Sequence, residues 1–136
     1  MTIDFVPKTF QNLIPYLVLE NAPRFLAWLR ETFDVETIQE EFQGDALLHG
    51  AFRVNGTVIE VSSANPEYKA QTVSIHIYVQ NCDQIFESAI RAGATEIQAV
   101  SEMPYGERSG GLLDPEGNSW WIATQQRDMY PEYKPQ

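Results

Sequence analysis

The chain has 136 residues, 43% of them hydrophobic, and its seven Phe, six Tyr and three Trp are ample for one packed core. A formal charge of −10 spread along the sequence, with no Lys/Arg cluster, argues against binding a phosphate backbone and leans toward neutral or cationic ligands. No segment is apolar for long enough to cross a bilayer, the opening Met-Thr-Ile-Asp-Phe-Val-Pro-Lys does not read as a signal peptide, and the single Cys82 permits no internal disulfide, which fits the cytoplasm.

Leu13–Leu19 reads as a strand, with Leu17 and Leu19 on one face and Tyr16 and Val18 on the other. Asn21 is placed to cap a helix, Pro23 falls in its first turn, and Phe25, Leu26, Leu29 and Phe33 give it one apolar stripe. Three strands follow at Glu36–Phe42, Ala46–Val54 and Thr57–Ser62. Gly44 lies between the first two, and Asn55-Gly56 is a short-hairpin signal between the last two. Asn65–Ala70 is a polar crossover. The order then recurs: a strand at Val73–Val79, a cap at Asn81, and a helix with Ile85, Phe86, Ala89 and Ile90 inward and Gly93 as its stop. Strands at Glu96–Ala99, about Arg108–Leu113 and Ser119–Thr124 complete it, with Asp114–Asn118 as a tight turn. The tail, 127–136, has no periodicity and is either frayed or laid across a partner subunit.

The second half is a diverged copy of the first. At a shift of 60, Leu17 falls on Ile77, Leu19 on Val79, Asn21 on Asn81 and Leu26 on Phe86; one more residue brings Gly56–Ser62 onto Gly117–Ala123. Apolar positions coincide while surface positions drift, as in two copies of one packing unit. The expected fold is α+β: one domain over 1–136 built of two tandem βαβββ modules, at about 12–64 and 72–125.

Tyr105-Gly-Glu-Arg-Ser-Gly-Gly-Leu-Leu-Asp-Pro-Glu-Gly-Asn-Ser-Trp-Trp-Ile-Ala-Thr124, together with Ser74–Val79, Asp83 and Ala92-Gly-Ala94, resembles the vicinal oxygen chelate superfamily: glyoxalase I, bleomycin-resistance proteins and extradiol dioxygenases. The resemblance runs from about Leu13 to Thr124. It implies paired modules whose curved sheets enclose a cavity, commonly completed by a second chain, so a homodimer is the expectation. It also implies four metal-ligand positions, which fall on Ile14, Glu60, Ser74 and Trp121. Of these only Glu60 carries a ligating side chain of the usual kind, whereas a tightly held divalent ion needs at least three protein donors. No resident metal or other cofactor is therefore expected. The alternative is a loosely bound divalent ion on Glu60 and His76, which lies two residues beyond a ligand position and on the same strand face.

Ligand-binding candidates are Tyr16, Glu60, His76, Tyr78 and Trp121, an aromatic lining with one acid and one imidazole that suits a flat or partly cationic molecule. The same aromatics would equally serve as core filling. Arg108 is a candidate for an anionic ligand group, or else a bridge to Glu107 or Asp114. Glu60 with His76 is a candidate acid–base pair or a structural ion pair. His49 starts a strand and either borders the cavity or, the reading preferred here, stands at an edge near solvent. Cys82 sits in the first turn of a helix but has no catalytic companion at useful spacing. The leading reading is a cytoplasmic protein that binds or sequesters a small molecule, with no nucleic-acid or membrane partner. The rivals are a lyase, isomerase or dioxygenase using Glu60 and His76, and a filled domain serving as a dimeric interaction module.

Overall fold

A computed structural model describes residues 3–132 and 134–135. The parts of the leader and tail readings that concern Met1, Thr2, Tyr133 and Gln136 lie outside the described residues. The first module comprises β1 (Tyr16–Leu19), α1 (Ala22–Thr32), β2 (Val35–Gln43), β3 (Ala46–Val54) and β4 (Thr57–Ser63). The second comprises β5 (Ser74–Tyr78), α2 (Cys82–Arg91), β6 (Thr95–Glu102), β7 (Glu107–Leu113) and β8 (Ser119–Gln125). Each forms a four-stranded mixed sheet, in the orders β1-β4-β3-β2 and β5-β8-β7-β6, with the first strand of each module parallel to its last. Among the described residues no helix is long and apolar enough to cross a membrane.

The repeat in the sequence is a repeat in register. Tyr16 sits opposite Glu60 in the first sheet and His76 opposite Trp121 in the second. Both helices start where the asparagines dictate: Asn21 Oδ1 accepts from the Arg24 N–H at 3.1 Å and Asn81 Oδ1 from the Gln84 N–H at 3.2 Å. Asn55 and Gly56 both take positive φ (47° and 96°), the backbone of a two-residue hairpin whose twist matches its strands.

β1 is shorter than the periodicity predicts, and Leu13 is exposed. Ahead of Tyr16 the ladder of β4 is completed by a side chain. The Gln11 amide donates to Val58 O at 2.6 Å and accepts from Val58 N at 3.1 Å, occupying the groups a longer β1 would have bonded.

The core lies between the modules. Trp28 of α1 packs on Trp120 of β8 with ring centroids 5.4 Å apart, Phe33 stands 5.2 Å from Trp120, and the Trp28 indole donates to Ala89 O of α2 at 3.1 Å. Each such ring, taken out of water, contributes about 2–3 kcal/mol. A polar tie joins the modules at the edge of this core: Glu116 accepts from the Asn21 N–H at 2.7 Å and forms an ion pair with Arg24, and its side chain is buried. A carboxylate there meets both an orphan donor and the positive end of α1. Glu116→Ala should lower the unfolding free energy by about 1–2 kcal/mol in urea titration.

Candidate functional site

Strand alternation assigns every inward side chain. Leu17, Leu19, Ile59 and Val61 belong to the core, so Tyr16 and Glu60 stand on the opposite, helix-free face of the first sheet. Ile75, Ile77, Trp120 and Ile122 face the core of the second, leaving Ser74, His76, Tyr78 and Trp121 on its open face.

The sequence candidates thus fall on two faces. On the first, Glu60 Oε1 lies 3.1 Å from His49 Nε2, the other His49 nitrogen contacts Gln39 Oε1 at 3.1 Å, and the Tyr16 ring stands 6.4 Å from the imidazole. His49 is therefore no edge residue: β3 lies between β2 and β4, and His49 is half-buried on the face of Glu60. On the second, His76 Nε2 lies 3.4 Å from Glu107, the Tyr78 hydroxyl donates to Glu107 Oε1 at 3.3 Å, and the His76 and Tyr78 rings are 4.7 Å apart. The expected pairing of Glu60 with His76 is replaced by two separate His–Glu pairs, one per module, because each histidine meets a carboxylate of its own sheet.

Arg108 is corrected as well. In β7 it alternates with Glu107 and turns to the helix side, where it holds Asp83 of α2 through two hydrogen bonds of 2.7 and 2.8 Å and reaches Glu102 at 3.5 Å. Asp83 is held below the ordinary carboxylate range by the Arg108 hydrogen bonds. Arg108 therefore fixes α2 to its sheet; its partner is neither Glu107 nor Asp114. Cys82 opens α2 as a buried free thiol whose Sγ lies 3.3 Å from Arg108 O.

The second face carries a cavity of about 460 Å³ lined by His76, Gln98, Met103, Tyr105, Glu107, Ser109 and Trp121. Its floor depends on a glycine. A Cβ at Gly111 would meet Trp121 Cζ3 at 2.4 Å, so the indole lies directly against bare backbone. The neighbouring Gly110 gives the same room on the other side of the sheet to Phe86 and Val100. Glu107, Tyr105, Met103, Gln98 and Ser109 escape the sequence reading. Ser109 lies within the predicted strand, but the period-2 pattern reaches Glu107 only if β7 begins there, one residue before the predicted start.

Of the four carried-over ligand positions, Ile14 precedes β1, Ser74 is hydrogen-bonded to Ser119, and Trp121 covers Gly111. Among the described residues no three His, Cys, Asp or Glu side chains gather closely enough in one chain to hold an ion.

No family model matches the chain. It is 30% identical over 129 residues to uncharacterized protein Mb0911c of Mycobacterium bovis, covering 86% of this chain and 85% of that protein, and to uncharacterized protein Rv0887c of Mycobacterium tuberculosis, covering 86% and 76%. Its fold matches TioX from Micromonospora sp. ML1 with a TM-score of 0.72 and 19% identity over 85% of this chain and 98% of that one. A glyoxalase/bleomycin resistance protein/dioxygenase family enzyme from Burkholderia phytofirmans PsJN gives 0.67 and 18%, over 82% and 96%. The fosfomycin resistance protein FosX from Listeria monocytogenes gives 0.65 and 15%, over 84% and 92%. Sharing its sequence with the two mycobacterial proteins, the chain belongs to one family with them, and its paired modules have the fold of the glyoxalase/bleomycin resistance protein/dioxygenase structures.

Proposed function

We propose that the protein binds or sequesters a small organic molecule on its open sheet faces and holds no resident metal ion. The observation that carries this is the cavity floored by Trp121 on Gly111, with Tyr105, His76 and Met103 around it. An aromatic-walled hollow with a few polar groups is what a flat ligand needs. Of the four metal-ligand positions that the resemblance implies, three bear Ile14, Ser74 and Trp121, which leaves Glu60 short of the donors a firm site requires. Equilibrium dialysis against aromatic and cationic antibiotics and metabolites should find at least one ligand of micromolar affinity. Uniform failure to bind would sink the reading. Metal analysis of protein purified without chelator checks the other half: a stoichiometric ion that Glu60→Ala abolishes would favour a lyase, isomerase or dioxygenase instead, with His49 beside Glu60 as the proton carrier.

The same reading includes a homodimer in the cytoplasm. Tyr16 and Tyr78, on the two open faces, are 47% and 51% exposed. A second copy laid across these faces would bury them and close the cavity. The single Cys82, buried and unpaired, suits a reducing compartment. Light scattering at micromolar concentration should give about twice the mass of 15.5 kDa.

A further inference from the structure

Glu107 is the one group on the second face whose setting a ligand-free explanation leaves incomplete. Its side chain is 7% exposed, and it lines the cavity. Two contacts meet it, the Tyr78 hydroxyl at 3.3 Å and His76 Nε2 at 3.4 Å, both long for charge-assisted bonds. Among the described residues no arginine or lysine lies within ion-pairing distance: Arg108, next in the chain, is committed to Asp83 on the far side of the sheet. Partial burial, and then the Glu107 charge, hold the Tyr78 phenol above its ordinary range, so it stays a donor. Removing an ionised carboxylate from water costs far more than two long hydrogen bonds return, and a cation in the cavity would offset that cost. Around it stand the π faces such a cation prefers. The first module offers no equivalent, because Glu60 is more exposed and already has His49 at 3.1 Å. The net charge of −10 draws cations toward the molecule as a whole.

We propose that the second module's open face is a subsite for an organic cation, with Glu107 taking the charged nitrogen and Trp121, Tyr105, Tyr78 and His76 taking the apolar body. This rests on the ligand-binding reading above and moves the steering carboxylate from Glu60, where the sequence puts it, to Glu107.

Three probes of similar shape test it at pH 8 by tryptophan fluorescence and calorimetry: 1-methylquinolinium, quinoline and naphthalene-1-sulfonate. The cation should bind about tenfold more tightly than quinoline, and the sulfonate most weakly. Glu107→Gln should bring the cation to within about twofold of quinoline. Tyr105→Leu, at a half-exposed position outside the buried core, should weaken the cation about threefold and so carries the test if Glu107→Gln does not fold. A wild-type protein that holds quinoline as tightly as its methylated cation, or a Glu107→Gln protein that keeps the preference, overturns the cation subsite but leaves a ligand-binding face. Failure of all three probes overturns both.

Discussion

Asp114→Ala should destabilise the protein by about 3–5 kcal/mol. Asp114 closes the turn between β7 and β8 and is buried. Its Oδ1 accepts from the Glu116 N–H at 2.8 Å and the Asn118 N–H at 3.1 Å; its Oδ2 accepts from the Asn118 amide at 3.0 Å and the Trp120 indole at 2.9 Å. Asn118 Oδ1 in turn accepts from the Val73 N–H at 2.9 Å, so the network reaches the start of β5. Alanine strands four donors, of which the indole and both Asn118 groups are buried beyond the reach of water. It also releases Trp120, the ring on which Trp28 and Phe33 close the core between the modules. Asp114→Asn keeps one acceptor oxygen and should fall between wild type and alanine. Urea titration followed by tryptophan fluorescence should show the midpoint falling with the slope unchanged. A loss below about 1 kcal/mol would mean that the turn holds without its carboxylate.

That turn also shows how far the residues alone could be taken. Asp-Pro-Glu-Gly-Asn marks a turn, and the repeat brings it onto the turn of the first module, so element order and topology follow from spacing. The strand positions lie within a few residues of the predicted ones because turn residues bound the strands, even though β2 and β6 each carry register shifts against their neighbours. β1 is the exception: Gln11 can stand in for a strand only once Val58 lies beside it, a contact 47 residues away in sequence that no local pattern encodes.

The site was less legible, for two distinct reasons. Some of it was available by counting. The Asn55-Gly56 turn pairs Val54 with Thr57, and stepping outward gives Ala51 opposite Glu60. His49, two residues on, then shares the face of Glu60. Likewise Gly111 lies opposite Trp121 and Ser109 opposite Ala123, which puts Glu107 on the open face and Arg108 behind it. Charge alone leaves Arg108 open to an anionic ligand group or to a bridge with Glu107 or Asp114, whereas parity puts it on the side of the sheet where Asp83 holds it. The rest could not be counted. Whether Glu60 meets His76 or His49 depends on how the two sheets are disposed, and the modules join through helices and buried tryptophans rather than by bringing their open faces together.

The neighbouring glycines of β7 separate stability from binding. Gly110→Val should cost about 3 kcal/mol, because even a Cβ there would sit 2.8 Å from Val100 Cγ2 and 2.9 Å from the Phe86 ring, with the core behind them unable to yield. Gly111→Val places its extra atoms on the other side. The Cβ would lie 2.4 to 2.8 Å from three atoms of the Trp121 indole, a side chain bordered by an open cavity and free to swing away. Its stability should change by less than about 1 kcal/mol, since valine suits a strand and the core is untouched. Its ligand face should be lost: with the floor displaced, affinity for a stacked aromatic probe should fall by about tenfold or more. Acrylamide quenching reads the displacement without any ligand, because Trp28 and Trp120 are both 1% exposed and added quenching must come from Trp121. If Gly111→Val binds as wild type does while its quenching rises, the indole is not the floor of the site. If instead Gly111→Val loses as much stability as Gly110→Val, Trp121 is a packing residue, and the open face of β7 and β8 is part of the core in all but exposure.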